Sequence, residues 1–139
     1  NTAVPIKQIC KNGYFGQIVG KYIAIQTISS SGKSGMTLYR KSDGQKIKTI
    51  TSNCSYYEFI DNTFYYVEPI AEFKYKIKSY NIEKKKTITY GTIKANEFGA
   101  ITSKYLYYSN GPMIGECKYY KYSFAKKKSI RITEEAFQY

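Results

Sequence analysis

The sequence contains no histidine and no tryptophan, three cysteines, three prolines, and 10 acidic residues against 22 basic ones. Without an imidazole, Ser-His-Asp and Cys-His catalysis and the usual zinc sites are excluded. The cysteines, Cys10, Cys54 and Cys117, are odd in number and form no C-x-x-C pair, so a disulfide framework is not indicated, although one bridge plus a free thiol is compatible with the count. Cys10 and Cys54 fall at similar places in a repeat described below. They are expected to be small packing residues, because a free thiol behaves as a buried hydrophobe. No apolar run approaches the roughly 20 residues that span a bilayer as a helix. No signal peptide is visible, and the opening Asn1-Thr2-Ala3 lacks a methionine, as in a mature protein or a cut segment. Long helical periodicity is absent too. Only Thr133–Phe137 hints at a helix, and it is too short to stand alone. No calcium-loop pattern occurs, and no cofactor or metal is expected.

What is abundant is aromatic. There are 17 tyrosines and 7 phenylalanines in 139 residues, and such side chains favour the half-buried surface of a sheet. They recur with a period. Lys104-Tyr105-Leu106-Tyr107-Tyr108-Ser109, stopped by Asn110-Gly111-Pro112, echoes Lys21-Tyr22-Ile23-Ala24-Ile25 and Thr63-Phe64-Tyr65-Tyr66-Val67. Tyr22, Phe64 and Tyr105 are 42 and 41 residues apart. A second landmark, Lys46–Thr51, returns as Lys84–Thr89 and as Lys126–Arg131, and Ile6-Lys7-Gln8-Ile9 is a leading partial copy of it. Equal spacing of similar strands marks a repeat architecture.

The chain reads as a single all-β repeat domain over 1–139, with repeats at approximately 11–51, 52–90 and 91–133 and an orphan strand at 4–10. Each repeat supplies four strands. Expected strands are 14–19, 21–28, 36–42 and 45–51, then 55–60, 63–67, 73–81 and 86–90, then 96–102, 104–109, 116–124 and 128–133. In the second repeat Phe73, Tyr75 and Ile77 alternate with Lys74, Lys76 and Lys78, the period-two pattern of a strand with one buried face. Asp43-Gly44 reads as a tight hairpin turn and Asp61-Asn62 as another turn. Gly32-Lys33-Ser34 invites a phosphate-loop reading that fails, since the spacing would put glycine at Thr27 and no helix follows.

Four short antiparallel strands per repeat of about 40 residues is the pattern of propeller-type blades. Three blades imply a partial or half propeller, since closed propellers carry about 4 to 8 blades. A β-trefoil, also built of three four-stranded units, is the alternative. Tyr105-Leu106-Tyr107-Tyr108-Ser109 and Phe64-Tyr65-Tyr66-Val67-Glu68 occupy the place of a YWTD tetrapeptide. On them, the chain resembles bacterial extracellular β-propeller repeat proteins of unknown function, related to the YWTD propellers of low-density-lipoprotein receptors. It departs in having no tryptophan and no Asp at the fourth position. The resemblance implies a binding or scaffolding role at an extracellular or bacterial cell-surface location, and transfers no functional residue.

The leading expectation is therefore a non-enzymatic module that presents loops to a protein or glycan partner. The loops 29–35, 68–72 and 109–115 occupy equivalent places in the repeats and would share a rim. A homodimer completing a ring is a further expected partner arrangement. A net charge of +12 raises the alternative of an anionic partner, a cell-wall polymer or nucleic acid, met by the Lys-rich strands. Nucleic acid is disfavoured: at Lys74–Lys76 and Lys118–Tyr122 strand alternation sends rings and charges to opposite faces. A two-carboxylate glycoside hydrolase would have to use Glu58 and Glu97, which occupy near-equivalent inner-strand positions. No catalytic or metal-binding residue is assigned, and no ligand-binding residue can be named.

Overall fold

The structure, a computed structural model, describes residues 13–111 and 117–132. The orphan strand at 4–10, the residues 112–116 of the third loop and the tail from Thr133 lie outside the described residues. The chain divides into two compact units, Asn1–Cys54 and Ser55–Tyr139. Among the described residues all regular structure is β. Unit 1 holds β1 (Gly13–Val19), β2 (Tyr22–Ile28), β3 (Ser34–Arg40) and β4 (Lys46–Thr51). Unit 2 holds β5 (Tyr56–Ile60), β6 (Thr63–Ala71), β7 (Lys74–Asn81) and β8 (Lys86–Lys94), followed by β9 (Glu97–Ile101), β10 (Tyr105–Asn110), β11 (Lys118–Ser123) and β12 (Lys128–Ile132).

Each repeat forms its own sheet. Sheet 1 is β1-β2-β3-β4, sheet 2 is β5-β6-β7-β8 and sheet 3 is β9-β10-β11-β12, every neighbouring pair antiparallel and in chain order. A trefoil would need strands of different repeats to pair into one barrel. The described strands pair only within their own repeat, as in propeller-type blades.

The turns set the registers. Two-residue loops join Val19 to Tyr22 and Ile60 to Thr63. Their first residues, Gly20 and Asp61, have φ of 59° and 53°, the left-handed geometry that suits a tight hairpin. Thr63, not Phe64, is thus the equivalent of Tyr22 and Tyr105, each the first residue of its strand. The one-residue slip matters because it exchanges the two faces of a strand. In the correct alignment Ile23, Phe64 and Leu106 correspond, and Tyr122 falls on Tyr80, since Tyr80 pairs with Phe64 and Tyr122 with Leu106.

The Asp43-Gly44 hairpin is longer than two residues. Arg40 pairs through its backbone with Gln45, closing a four-residue loop. Asp43 accepts from the Gln45 amide at 3.0 Å and from Arg40 Nη1 at 2.8 Å, and the Gln45 bond, ahead of the Arg40 charge, holds the Asp43 carboxyl below its ordinary range. The same turn recurs before β8 and β12. In place of Gly44 (φ 74°) these turns carry Lys85 (φ 56°) and Lys127 (φ 54°).

Two expected boundaries move. The segment 68–72, read as a loop, is largely strand: β6 runs to Ala71 and turns through Glu72 and Phe73. Pro69 is tolerated because pairing with β5 stops at Val67, leaving β6 with β7 as its paired neighbour. β8 continues past Tyr90 to Lys94, an irregularity opposite Ile77 and Lys78 absorbing the extra residue.

In unit 2, sheets 2 and 3 pack face to face through rings. Val67 and Ile77 of sheet 2 are buried with Leu106, Tyr108, Tyr122 and Phe124 of sheet 3. Phe98 stacks on Tyr56 (5.4 Å between centroids) and meets Tyr75 edge-on (4.9 Å). Phe124 stacks on Tyr65 at 4.7 Å and tilts onto Tyr90 at 5.0 Å. Such pairs contribute about 0.5–1.5 kcal/mol each beyond the area they bury. Tyrosine hydroxyls along this contact mostly find partners: Tyr108 shares a hydrogen bond with Ser129 (2.5 Å), Tyr90 with Ser79 (2.8 Å), and Tyr56 donates to the Gly99 carbonyl (3.2 Å). The Tyr122 hydroxyl has none among the described residues. In unit 1 the buried side chains Ala24, Met36 and Leu38 share one face of sheet 1. Cys54 is buried, in keeping with a packing role, and Cys117 is half-buried.

Candidate functional site

The sequence points to three places: the carboxylates, the loops and the Lys/Tyr strands. Glu58 pairs with Tyr65, which puts it on the face of sheet 2 that meets sheet 3. Glu97 pairs with Ser109, on the same side of sheet 3 as Tyr107 and Tyr119. Its neighbour Phe98 points the other way, onto Tyr56 and Tyr75 of sheet 2. Glu97 therefore faces away from sheet 2, and sheet 3 stands between the two carboxylates. The pair that a glycosidase needs on either side of one scissile bond is not assembled.

The connections between second and third strands are equivalent in topology but not in build. In unit 1, residues 29–33 form a loop tied to itself: Ser29 N donates to the Lys33 carbonyl, and Ser29 Oγ accepts from Lys33 N at 3.1 Å and bonds Ser31 Oγ at 3.0 Å. The glycines of this run have structural reasons. Gly32 has φ of 83°, and a Cβ at Gly35 would lie 2.7 Å from the Thr51 carbonyl. In unit 2 the first such connection is the Glu72-Phe73 turn. Phe73 has φ of 57°, an uncommon geometry for a bulky residue. Its carbonyl accepts from Ala95 N at 2.9 Å, and the residue is 50% exposed, close in sequence to exposed Ile70. The last connection is described only at its ends, where Gly111 N donates to Asn96 Oδ1 at 2.7 Å.

The Lys/Tyr strands divide as alternation requires. Tyr75 and Tyr120 pack against the core cluster and Tyr122 lies within it. Tyr119 is exposed on the opposite face. On that opposite face Lys121 Nζ sits 4.5 Å from the centre of the Tyr105 ring, and Tyr105 meets Tyr107 edge-on at 6.0 Å.

That face also holds a cleft of about 160 Å³ that sequence reasoning missed. Tyr107, Tyr119 and Glu97 stand around it, Ser109 and Gly99 supply small residues, and Phe98, Tyr108 and Tyr120 complete the lining. Since the last three direct their rings to the other face, their backbone is what the cleft meets. Gly99 is the extra residue of a bulge, because Tyr107 pairs with Ala100 while Tyr108 pairs with Phe98. A glycine within a strand pattern is the sequence signal for such a bulge. Among the described residues no group of three or more His, Cys, Asp or Glu side chains could hold a metal, and no helix is long and apolar enough to cross a membrane.

No protein-family model matches this sequence, and no curated protein matches it. Among solved structures it is similar to the β-propeller domain of the Trilobed protease from Pyrococcus furiosus, whose structure reveals an open velcro topology, with a TM-score of 0.54 at 6% identity. The match covers 88% of this chain and 43% of that one, so the chain spans less than half of the structure it resembles. At that identity the likeness concerns fold alone, and the fold it supports is the propeller type read from the repeats.

Proposed function

We propose that this chain is a non-enzymatic binding or scaffolding module that meets a protein or glycan partner at the connections between the second and third strands of its sheets. The observation that carries this reading is Phe73. Phe73 stands in left-handed backbone, half exposed and three residues from exposed Ile70, in a two-residue turn whose Phe73 carbonyl accepts from Ala95 N. Strained positions of this kind persist where surrounding structure enforces them, and they cluster at binding sites. Ile28, at the start of the corresponding connection in unit 1, is exposed as well. The extracellular, bacterial cell-surface location and the kinship with YWTD-type repeats belong to the same proposal. They rest on the Phe64–Glu68 and Tyr105–Ser109 segments.

The test is a screen of the chain on immobilised glycans, cell-wall polymers and cell-surface protein fractions, run with Phe73→Ser and Ile70→Ser beside it. Signals that vanish in both variants, with the fold intact by circular dichroism, support the reading; signals retained by both overturn it. A second reading, an anionic polymer as partner, is favoured by the exposed lysines gathered at one hairpin of each unit 2 sheet, Lys84–Lys86 and Lys126–Lys128. It requires affinity that falls steeply with added salt.

A further inference from the structure

Each sheet has a corner where the turn between its first two strands meets the turn between its last two. One backbone bond ties the turns together in every repeat. Lys41 N donates to the Lys21 carbonyl, Ile82 N to that of Asn62 and Phe124 N to that of Lys104, at 2.9, 2.8 and 3.1 Å. The second turn closes alike in all three, with Gly44, Lys85 and Lys127 in left-handed backbone at φ of 74°, 56° and 54°. Side chains at equivalent positions of the corner are therefore directly comparable. Where sheet 2 has Asp61, Asn62 and Glu83, sheet 3 has Ser103, Lys104 and Ala125. Where sheet 1 has Asp43, Gly44 and Gln45, sheet 3 has Lys126, Lys127 and Lys128.

The turn itself does not call for lysine, since Asp43, Gly44 and Gln45 close it in sheet 1. At position 127 lysine is also strained, because glycine alone enters left-handed backbone freely. The turn is held without lysine side chains: the Ser123 carbonyl accepts from Lys127 N at 2.8 Å and Ser123 Oγ from Lys126 N at 3.1 Å. Lys104, Lys126, Lys127 and Lys128 are all exposed, and neither turn of sheet 3 contains a carboxylate. The other corners are partly neutralised. Asp43 pairs with Arg40 at 2.8 Å in sheet 1, and in sheet 2 Asp61 and Glu83 stand among the lysines, Glu83 accepting from Asn62 Nδ2 at 3.3 Å. The basic corner lies at the end of sheet 3 where Tyr105, Ser123 and Lys128 pair; Asn110 and Lys118 pair at the other end.

The surroundings of the lysines select the partner's chemistry. None of the large exposed apolar side chains belongs to these two turns. A protein interface is anchored by aromatic or arginine side chains and is depleted in lysine. Single-stranded nucleic acid needs rings on which bases stack, and the adjoining Tyr105 ring already carries Lys121 Nζ 4.5 Å from its centre. A duplex bends only over about 50 nm, so it meets a convex turn at few phosphates. A flexible chain of phosphates can follow the turn and reach all four ammonium groups, which as point charges impose no fixed geometry. We infer that Lys104, Lys126, Lys127 and Lys128 hold a flexible, base-free polymer of phosphates at this corner of sheet 3. The inference rests on the anionic-partner reading above and assigns it a site and a polymer class.

The test titrates the full 139-residue chain into labelled poly(glycerol phosphate), inorganic polyphosphate and oligo(dT), read by fluorescence anisotropy. Binding to either of the first two, weakened more than about tenfold between about 50 and about 200 mM salt, supports the inference, and the tighter of the two identifies the source of the phosphates. Lys127→Gly removes a charge and the left-handed strain together, so the fold is kept, and affinity should fall about fivefold, the worth of one lysine at an anionic surface. Lys126→Ser combined with Lys128→Ser should cost more than about tenfold on the same basis. Lys85→Gly, the matched change in sheet 2, should leave affinity within about twofold of wild type, because carboxylates accompany that turn. Unchanged affinity in Lys127→Gly, equal losses in Lys85→Gly and Lys127→Gly, or oligo(dT) bound as tightly as the base-free polymers overturns the inference. The last two outcomes leave the anionic-partner reading standing, whereas failure of all three polymers to bind overturns both.

Discussion

A methyl group at position 91 would collide with the hydroxyl of Tyr122. An ideal Cβ on Gly91 lies 2.9 Å from that oxygen and 3.8 Å from the ring carbon that bears it. Tyr122 is a stiff ring, 3% exposed, and cannot swing aside without disturbing Leu106, Tyr108 and Phe124 around it. Gly91→Ala should therefore destabilise by about 1–3 kcal/mol, the cost of overpacking a filled interior. Tyr122→Phe removes the offending atom. It also removes a buried hydroxyl without a partner among the described residues, and so should stabilise by about 1 kcal/mol. In the Tyr122→Phe background the nearest remaining atom is in ordinary contact. Gly91 lies in β8 outside the left-handed region. There Gly91→Ala should be neutral or stabilising by about 0.5 kcal/mol, through the entropy of the unfolded chain.

The double-mutant cycle thus predicts a coupling of about 2 kcal/mol, near the upper part of the range for residues in contact. Urea unfolding followed by far-ultraviolet circular dichroism measures all four corners, provided the slope with denaturant is unchanged. If Gly91→Ala costs the same in both backgrounds, sheets 2 and 3 do not approach at these residues and the face-to-face packing is wrong. If Tyr122→Phe is less stable than wild type, the hydroxyl has a partner and the burial argument fails.

Tyr108→Phe, by contrast, breaks the bond to Ser129 and should lose about 1 kcal/mol in the same assay. Burial pushes the phenols of Tyr56, Tyr65, Tyr108 and Tyr122 above their ordinary value of 10.0. Above pH 10 the unfolded chain sheds these protons before the folded one does, so stability present below pH 10 declines as pH rises through the folded values; an alkaline melt should show this, and Tyr122→Phe should flatten it. Lys85→Gly and Lys127→Gly relieve left-handed backbone at turns where sheet 1 uses Gly44, and each should raise the unfolding free energy by about 1 kcal/mol; a loss in both would mean that the lysine side chains hold the turns. Gly35→Ala sets a methyl against backbone on β4, and with no flexible side chain to yield it should cost more than about 2 kcal/mol, read as a lowered urea midpoint.

The strands were legible because their signals are local. Alternation in Phe73–Lys78, the Asp61-Asn62 turn and the repeated Lys-rich fourth strand each act over a few residues, and the sheets follow from them. The register was less so. Tyr22, Phe64 and Tyr105 look alike, but the turn before each strand fixes which residue comes first, and Asp61 with φ of 53° brings Thr63 to that place. The 68–72 segment was misread because proline normally breaks a strand; only the ending of β5 opposite Val67 frees Pro69 from that rule. Glu58 and Glu97 look equivalent along the sequence and do face the same side of their own sheets, but the bulge at Gly99 sets Glu97 level with Tyr56, and the stacking of sheet 3 on that face of sheet 2 leaves sheet 3 between the two carboxylates.

What pattern cannot convey is whether an apolar face has found its partner. Ile18 and Ile101 occupy the same register position, each opposite an aliphatic residue, Ile23 or Leu106. One is buried and the other bare. The difference lies in neither residue nor strand but in what stands opposite the sheet. A repeat protein makes this sharp, because each unit buries a face only against a neighbour like itself, as sheet 3 does against sheet 2 through Leu106, Tyr108 and Tyr122. The same strand pattern therefore yields a buried Ile101 and an exposed Ile18, and only the packing, not the periodicity, tells them apart.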